Sequence, residues 1–308
     1  MAVFEYDYQT ECNPIPPSEQ GLRTIVAEPF LHVTDEIPRH LEGICFDKTG
    51  ENMYFCSTDI GRVFRYNFAS KECKELWTDE NVRSFGMKVH RDGRLFVSCF
   101  GRIKDPAIYV LTPDGTVEQT LMDGIPTDDL AFDRDGGFYC SQFTGDVFDR
   151  TGVIYHVSPD FKEVTVYAKS LAAPNGIALS TDEKILWITE YNGGQLLRTP
   201  VNGGWSSMCY AFTGAHGPDS CEIDADDNLY VAMTFQGRIL VFNKDGFPIG
   251  QVLMPYRDTG HNLISTHATV RPGTRELYIT CSDDTYGGSW IFKSESFATA
   301  HPGAFQFT

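Results

Sequence analysis

Positive charge is scarce in this chain: 25 Lys and Arg stand against 42 Asp and Glu, a net charge of −17 over 308 residues. So acidic a surface repels phosphate backbones and anionic lipid, which argues against nucleic-acid and membrane-surface binding. No apolar run approaches the roughly 18 residues that mark a membrane helix. The first twenty residues have neither a basic start nor an apolar stretch, so no leader peptide is expected and a cytoplasmic location is the expectation. Paired cysteines are missing too: the nine are odd in number, none form C-x-x-C, and several lie in apolar runs such as MYFCS and GFYCS. Buried reduced thiols are the reading, rather than a disulfide framework or a zinc site. G-x-S-x-G, H-E-x-x-H, the P-loop and G-x-G-x-x-G are all absent, which removes the common hydrolase, zincin and nucleotide-binding signatures.

Helical periodicity is also rare. What recurs is short runs rich in Val, Ile, Tyr, Phe and Trp, bounded by Gly, Asp, Asn or Pro, the pattern of an all-β chain. These runs repeat. EGICFDKTGENMYFCS begins at Glu42, FGMKVHRDGRLFVSCFG at Phe85 and DDLAFDRDGGFYCSQ at Asp128. NGIALSTDEKILWITE begins at Asn175, DSCEIDADDNLYVAM at Asp219, and a weaker copy, THATVRPGTRELYIT, at Thr266. Six copies at intervals of about 45 residues match one four-stranded propeller blade each. The expected architecture is therefore all-β: a six-bladed β-propeller with a metal site in its central channel. Residues 1–20 are expected to form an N-terminal surface arm and 21–308 a single propeller domain. The strand-like segment TIVAEPFLHV, residues 24–33, is expected to close the ring by adding an outer strand to the C-terminal blade, which removes an exposed edge.

Equivalent positions in a propeller lie at one level around the axis. The first position of the repeat reads Glu42, Phe85, Asp128, Asn175, Asp219 and Thr266. Three carboxylates aimed into one narrow channel repel and are costly to desolvate unless a cation joins them. Carboxylates with an amide carbonyl suit Ca²⁺, a hard ion taking oxygen ligands at about 2.3–2.6 Å. Asp47, Asp133 and Asp224, five residues further along, read as turn residues. D-R-D-G and D-A-D-D lack the Glu at the twelfth position of an EF-hand loop. Phe85, His216 and Thr266 are the substrate-pocket candidates, whereas His267 reads as an off-axis structural histidine.

The stretches LEGICFD, PTDDLAFD, APNGIALSTDEKILWITE, GPDSCEIDADDNLYVAM and GRILVFNKDGFPIGQVL resemble the superfamily of senescence marker protein, gluconolactonase and luciferin-regenerating enzyme. Within it, the chain is most similar to the bacterial drug-responsive lactonase branch. The resemblance covers about residues 40 to 300. It implies a six-bladed propeller with a catalytic Ca²⁺, held by residues falling on Glu42, Asp128, Asn175 and Asp219, with a further contact at Ser220. It also implies that Asp219 transfers the proton. A second, structural ion belongs to that branch. Here the corresponding stretch, residues 103–127, is shorter and lacks the branch's contacts, so Asp105 and Asp123 read as solvated loop carboxylates and the second ion is left open.

The expected activity is a calcium-dependent lactone hydrolase, in which the metal polarises the carbonyl of a small-molecule cyclic ester and Asp219 moves the proton. Two alternatives remain at this point: a phosphotriesterase-like hydrolase of organophosphorus esters, and a non-enzymatic calcium-binding propeller. The sequence specifies neither the lactone nor the oligomeric state.

Overall fold

The computed structural model of this chain describes residues 14–36, 39–214, 216–284 and 287–301. Six sheets, antiparallel but for one added edge strand, surround one axis. The first blade is β3 (Leu41–Phe46), β4 (Asn52–Ser57), β5 (Gly61–Asn67) and β6 (Glu72–Asp79). The second is β7 (Val82–Val89), β8 (Leu95–Gly101), β9 (Ala107–Leu111) and β10 (Val117–Leu121). The third is β11 (Thr127–Phe132), β12 (Phe138–Gln142), β13 (Gly152–Val157) and β14 (Val164–Leu171). The fourth is β15 (Pro174–Leu179), β16 (Ile185–Glu190), β17 (Gln195–Pro200) and β18 (Ser207–Ala211). The fifth is β19 (Pro218–Ile223), β20 (Leu229–Met233), β21 (Arg238–Phe242) and β22 (Pro248–Leu253). The sixth is β23 (Ile264–Val270), β24 (Glu276–Asp283) and β25 (Gly288–Glu295).

Burial follows strand order within each blade. The innermost strands β3, β11, β15 and β23 are buried along their whole length. The outermost, such as β10 with sequence VEQTL, are largely exposed. The apolar residues make six clusters, one between each pair of neighbouring blades: Met87, Leu95 and Val97 pack against Tyr54 and Val63 of the first blade, for example. The turn aspartates behave as turn chemistry predicts. Asp133 Oδ1 accepts the Gly136 and Gly137 amides at 2.9 and 2.8 Å, and Asp224 Oδ1 accepts those of Asp226 and Asn228 at 3.0 Å.

The chain ends refine the expected closure. The segment predicted as one closing strand is two. β2 (Glu28–Thr34) pairs antiparallel with β25 and supplies the fourth strand of the sixth blade. β1 (Arg23–Val26) instead pairs parallel with β22 and adds a fifth strand to the fifth blade. The break between them lets one segment seal two adjacent edges. The expected surface arm also ends sooner than residue 20. Glu19 is buried and meets Arg238 Nη1 and the Tyr210 hydroxyl. A buried guanidinium needs an anion, and the arm provides it. Residues 1–13 lie outside the described residues.

Cys45, Cys56, Cys99, Cys140, Cys221 and Cys281 are buried free thiols, as expected, while Cys73 is exposed. Cys12 lies outside the described residues. Burial pushes the Cys45 thiol up to about 12, which leaves it protonated and inert.

Candidate metal and catalytic site

Every innermost strand loses its register at the first position of the repeat. Asp128 and Asp129 together face one residue of β12, because Thr127 pairs with Gln142 and Leu130 with Cys140. The same slip occurs at Asn175–Gly176, Asp219–Ser220 and Phe85–Gly86, with irregularities after Glu42 and around Thr266. A bulge re-aims side chains and leaves ladder groups to find other partners. Here hydroxyls of the second strands take them. Ser141 Oγ accepts the Asp129 amide at 3.0 Å and donates to the Asn175 carbonyl of the next blade at 2.6 Å. Thr189 Oγ1 accepts the Gly176 amide at 2.8 Å and donates to the Asp219 carbonyl at 2.8 Å. Neighbouring innermost strands come so close that a Cβ on Gly86 would stand 2.3 Å from the Asp128 carbonyl oxygen, and one on Gly176 2.4 Å from the Cys221 nitrogen. Glycine after the first position is thus a packing requirement in the second and fourth blades.

Glu42, Asp128, Asn175, Asp219 and Ser220 are all buried. Ser220 Oγ donates to Glu42 Oε1 at 3.0 Å, and the Gly43 amide reaches the same oxygen at 3.2 Å. Asp219 Oδ1 accepts the Ser220 amide at 3.1 Å and Asp219 Oδ2 the Thr234 hydroxyl. The Asn175 side chain also hydrogen-bonds Asp219, while its own Oδ1 is buried without a hydrogen-bond partner. Burial pushes the Asp128 carboxyl well above the usual range, and Asp219, Glu42 and Asp129 add to the rise. Burial does the same to Asp219, with Glu42 as the main charge against it and Thr234, Asn175 and the Ser220 amide opposing.

The donor set fits a hard cation on two observations: an unpartnered buried amide oxygen, and two aspartates whose pKa is raised by burial and by neighbouring carboxylates. Among the described residues, however, no three His, Cys, Asp or Glu are drawn together as a closed ligand cage. Asp105 and Asp123 are exposed, in keeping with solvated loop carboxylates.

The pocket candidates separate. Phe85 is half-buried and stacks on Phe100, ring centroids 4.2 Å apart. Phe100 stacks on Phe143 at 5.9 Å, and Phe143 meets Tyr191 edge-on at 5.7 Å. Burial raises the Tyr191 hydroxyl pKa, and Asp219 and Asp128 raise it further, so the Tyr191 end of this aromatic row lies within the field of the acids. His216 is exposed on the loop before β19 and packs on Phe235 at 4.4 Å. The Thr266 hydroxyl is committed to the seam between the sixth and first blades, bonding the Leu41 carbonyl at 2.6 Å and Thr280 Oγ1 at 2.8 Å.

A second polar tier lies further along the same strands. Lys88 Nζ is 2.6 Å from Glu222 Oε2 and 3.4 Å from His267 Nε2. His267 is fully buried, with Nδ1 3.3 Å from Glu42 Oε1. The expectation of an off-axis histidine is therefore corrected: the irregular register at Thr266 sets its ring between the tiers. Beyond Lys88 and Glu222 lie cavities of about 40 and 20 Å³ that His301 also lines, enough for a few waters.

Known proteins share this fold. The family described as SMP-30/Gluconolactonase/LRE-like region matches residues 121–283. A protein of Staphylococcus saprophyticus named lactonase drp35 is 44% identical over all of this chain and 98% of its own length. The chain belongs to the SMP-30/gluconolactonase/LRE-like family. A luciferin-regenerating enzyme shares the fold with a TM-score of 0.70 at 19% identity, over 89% of this chain and 99% of its own. So does a calcium-binding protein, regucalcin, from Agrobacterium tumefaciens, with a TM-score of 0.70 at 15% identity, over 91% and 99%.

Sequence reasoning missed the aromatic wall in this SMP-30/gluconolactonase/LRE-like chain. A signal existed: Phe100, Phe143, Tyr191 and Phe235 lie within two residues of the end of the second strands of four consecutive blades. Comparing that position across copies, as was done for the first position, would have found them.

Proposed function

We propose that this protein is a calcium-dependent hydrolase of lactones, opening a cyclic ester to a hydroxy acid. The observation that carries the reading is the buried, unpartnered Asn175 Oδ1 set among three buried carboxylates. The relatives named lactonase and the calcium-binding fold neighbour support it. Glu42, Asp128, Asn175 and Asp219 would hold the ion, with Ser220 fixing Glu42. Calcium supplies a Lewis acid that offsets negative charge developing on a carbonyl oxygen.

The protein's own part is proton transfer and orientation. Asp219 takes a proton from the water that attacks the carbonyl carbon. The ring C–O bond then breaks, and the proton passes to the departing alkoxide. Thr234, Asn175 and the Ser220 amide fix the carboxylate so that little reorganisation accompanies the transfer. Phe85, Phe100, Phe143 and Tyr191 form a wall with few hydroxyl partners, which suits a lactone with an apolar face better than a sugar lactone.

The test is one purified sample, assayed for bound metal and then run against sugar, aliphatic and aromatic lactones with and without chelator. Calcium near one equivalent and chelator-sensitive turnover, highest on apolar lactones, are expected. Absence of a bound divalent ion together with chelator-insensitive turnover would overturn the metal assignment.

A further inference from the structure

We propose that Lys88 and His267 form a positioning relay that orients Glu42 for the ion. This inference rests on the proposed metal role of Glu42. Lys88 is held as an ammonium: burial opposes its charge, but Glu222 and Asp129 outweigh that and raise its pKa. An ammonium has donors only, so the imidazole nitrogen facing it, Nε2 at 3.4 Å, must accept. An imidazole that accepts at Nε2 carries its proton on Nδ1. That nitrogen is buried without a well-directed hydrogen bond, and Glu42 Oε1 is 3.3 Å away. The lysine thereby selects the tautomer that presents an N–H to the carboxylate.

With Ser220 Oγ at 3.0 Å and the Gly43 amide at 3.2 Å, His267 brings a third donor to Oε1. Oε2 is left for the ion. Outer groups of this kind change metal affinity by about 10- to 100-fold when removed. His267 and Lys88 touch no substrate in this scheme and act only through Glu42.

The tautomer is measured first, by ¹⁵N NMR of the imidazole in metal-free wild-type protein. Protonated Nδ1 and bare Nε2 are expected; an Nε2–H tautomer overturns the relay whether or not metal binds. Calorimetric calcium titrations then compare two variants. In His267→Asn the amide nitrogen takes the place of Nδ1, and affinity stays near wild type. In His267→Gln it takes the place of Nε2, and affinity falls about 10- to 100-fold. Equal losses in both, or none in His267→Gln, overturn the relay while leaving the calcium site intact. A wild-type protein that binds no calcium sinks the metal reading instead, and the tautomer measurement still decides the Lys88–His267 step.

Discussion

At the first position of the repeat the channel holds Glu42, Asp128, Asn175 and Asp219, a set with no basic side chain. Three residues further along the same strands it holds Glu222, with Lys88 2.6 Å away. Both tiers are buried in one channel, yet their carboxylates respond in opposite directions. Asp128 and Asp219 are pushed up by burial and by each other's neighbours. Glu222 is also penalised by burial, but Lys88 outweighs that and its pKa falls. The difference lies in the cation. The lower tier carries its own in covalent form, so its charge is settled when the chain folds. The upper tier supplies oxygen donors without one, which is what an exchangeable metal requires.

The comparison breaks hardest at Asp219. Asp219→Asn keeps the shape and the Thr234 contact but cannot take up a proton. Turnover of a lactone should fall about 10²- to 10⁴-fold with the thermal melt little changed; undiminished turnover would refute proton transfer at this residue. The matching change below is Lys88→Met, which leaves Glu222 buried and unpaired. It should cost about 3–5 kcal/mol of stability, the usual result of removing one partner of a buried pair. Urea unfolding measures it, and adding Glu222→Gln should restore part of the loss. A tier that tolerates Lys88→Met alone is not held by that ion pair.

Calcium sharpens the contrast at smaller amplitude. At a free concentration near one hundred times Kd, a ligand bound only by the folded state adds about 2.7 kcal/mol. That gain should vanish in Glu42→Gln and persist in Glu222→Gln, read as shifts of the urea midpoint. Acid separates the tiers in the calcium-free protein. Asp128 and Asp219 have folded pKa values above their unfolded ones, so the folded state binds more protons as pH falls, and stability rises through that window. Glu222 is depressed, so its contribution is present above the unfolded pKa and is lost as pH falls through the lowered folded value. Stability should therefore rise and then fall on acidification, and Asp128→Asn should flatten the rise.

The upper tier was legible because its members share one repeat position, and because the turn aspartates five residues on could be recognised and set aside. The lower tier was not. Its level is filled by Cys45, Lys88, Ala131, Ala178, Glu222 and Thr269, six residues with no common chemistry, so comparison across copies erases Lys88 and Glu222. His267 was misread because ideal alternation turns it away from the axis, and the irregularity that turns it back leaves no mark in composition. Blade number, by contrast, follows directly from the period. The arm's anchor did not show, because Glu19 meets a partner 219 residues away, beyond any local pattern.

Ser141 joins the third and fourth blades at the level of the upper tier, and it is where the smallest effect is expected. Its hydroxyl accepts the amide of Asp129 and donates to the carbonyl of Asn175. Ser141→Ala removes two buried hydrogen bonds worth roughly 1 kcal/mol each, so about 1–2 kcal/mol of stability should go. If the hydroxyl only seals the seam between blades, calcium affinity in Ser141→Ala should match wild type. If it also holds Asn175 at the level of the acids, affinity should fall along with stability. Calorimetry on the folded variant separates these outcomes, and a fall would mean that the bulge and its hydroxyl are part of how the fold builds the upper tier.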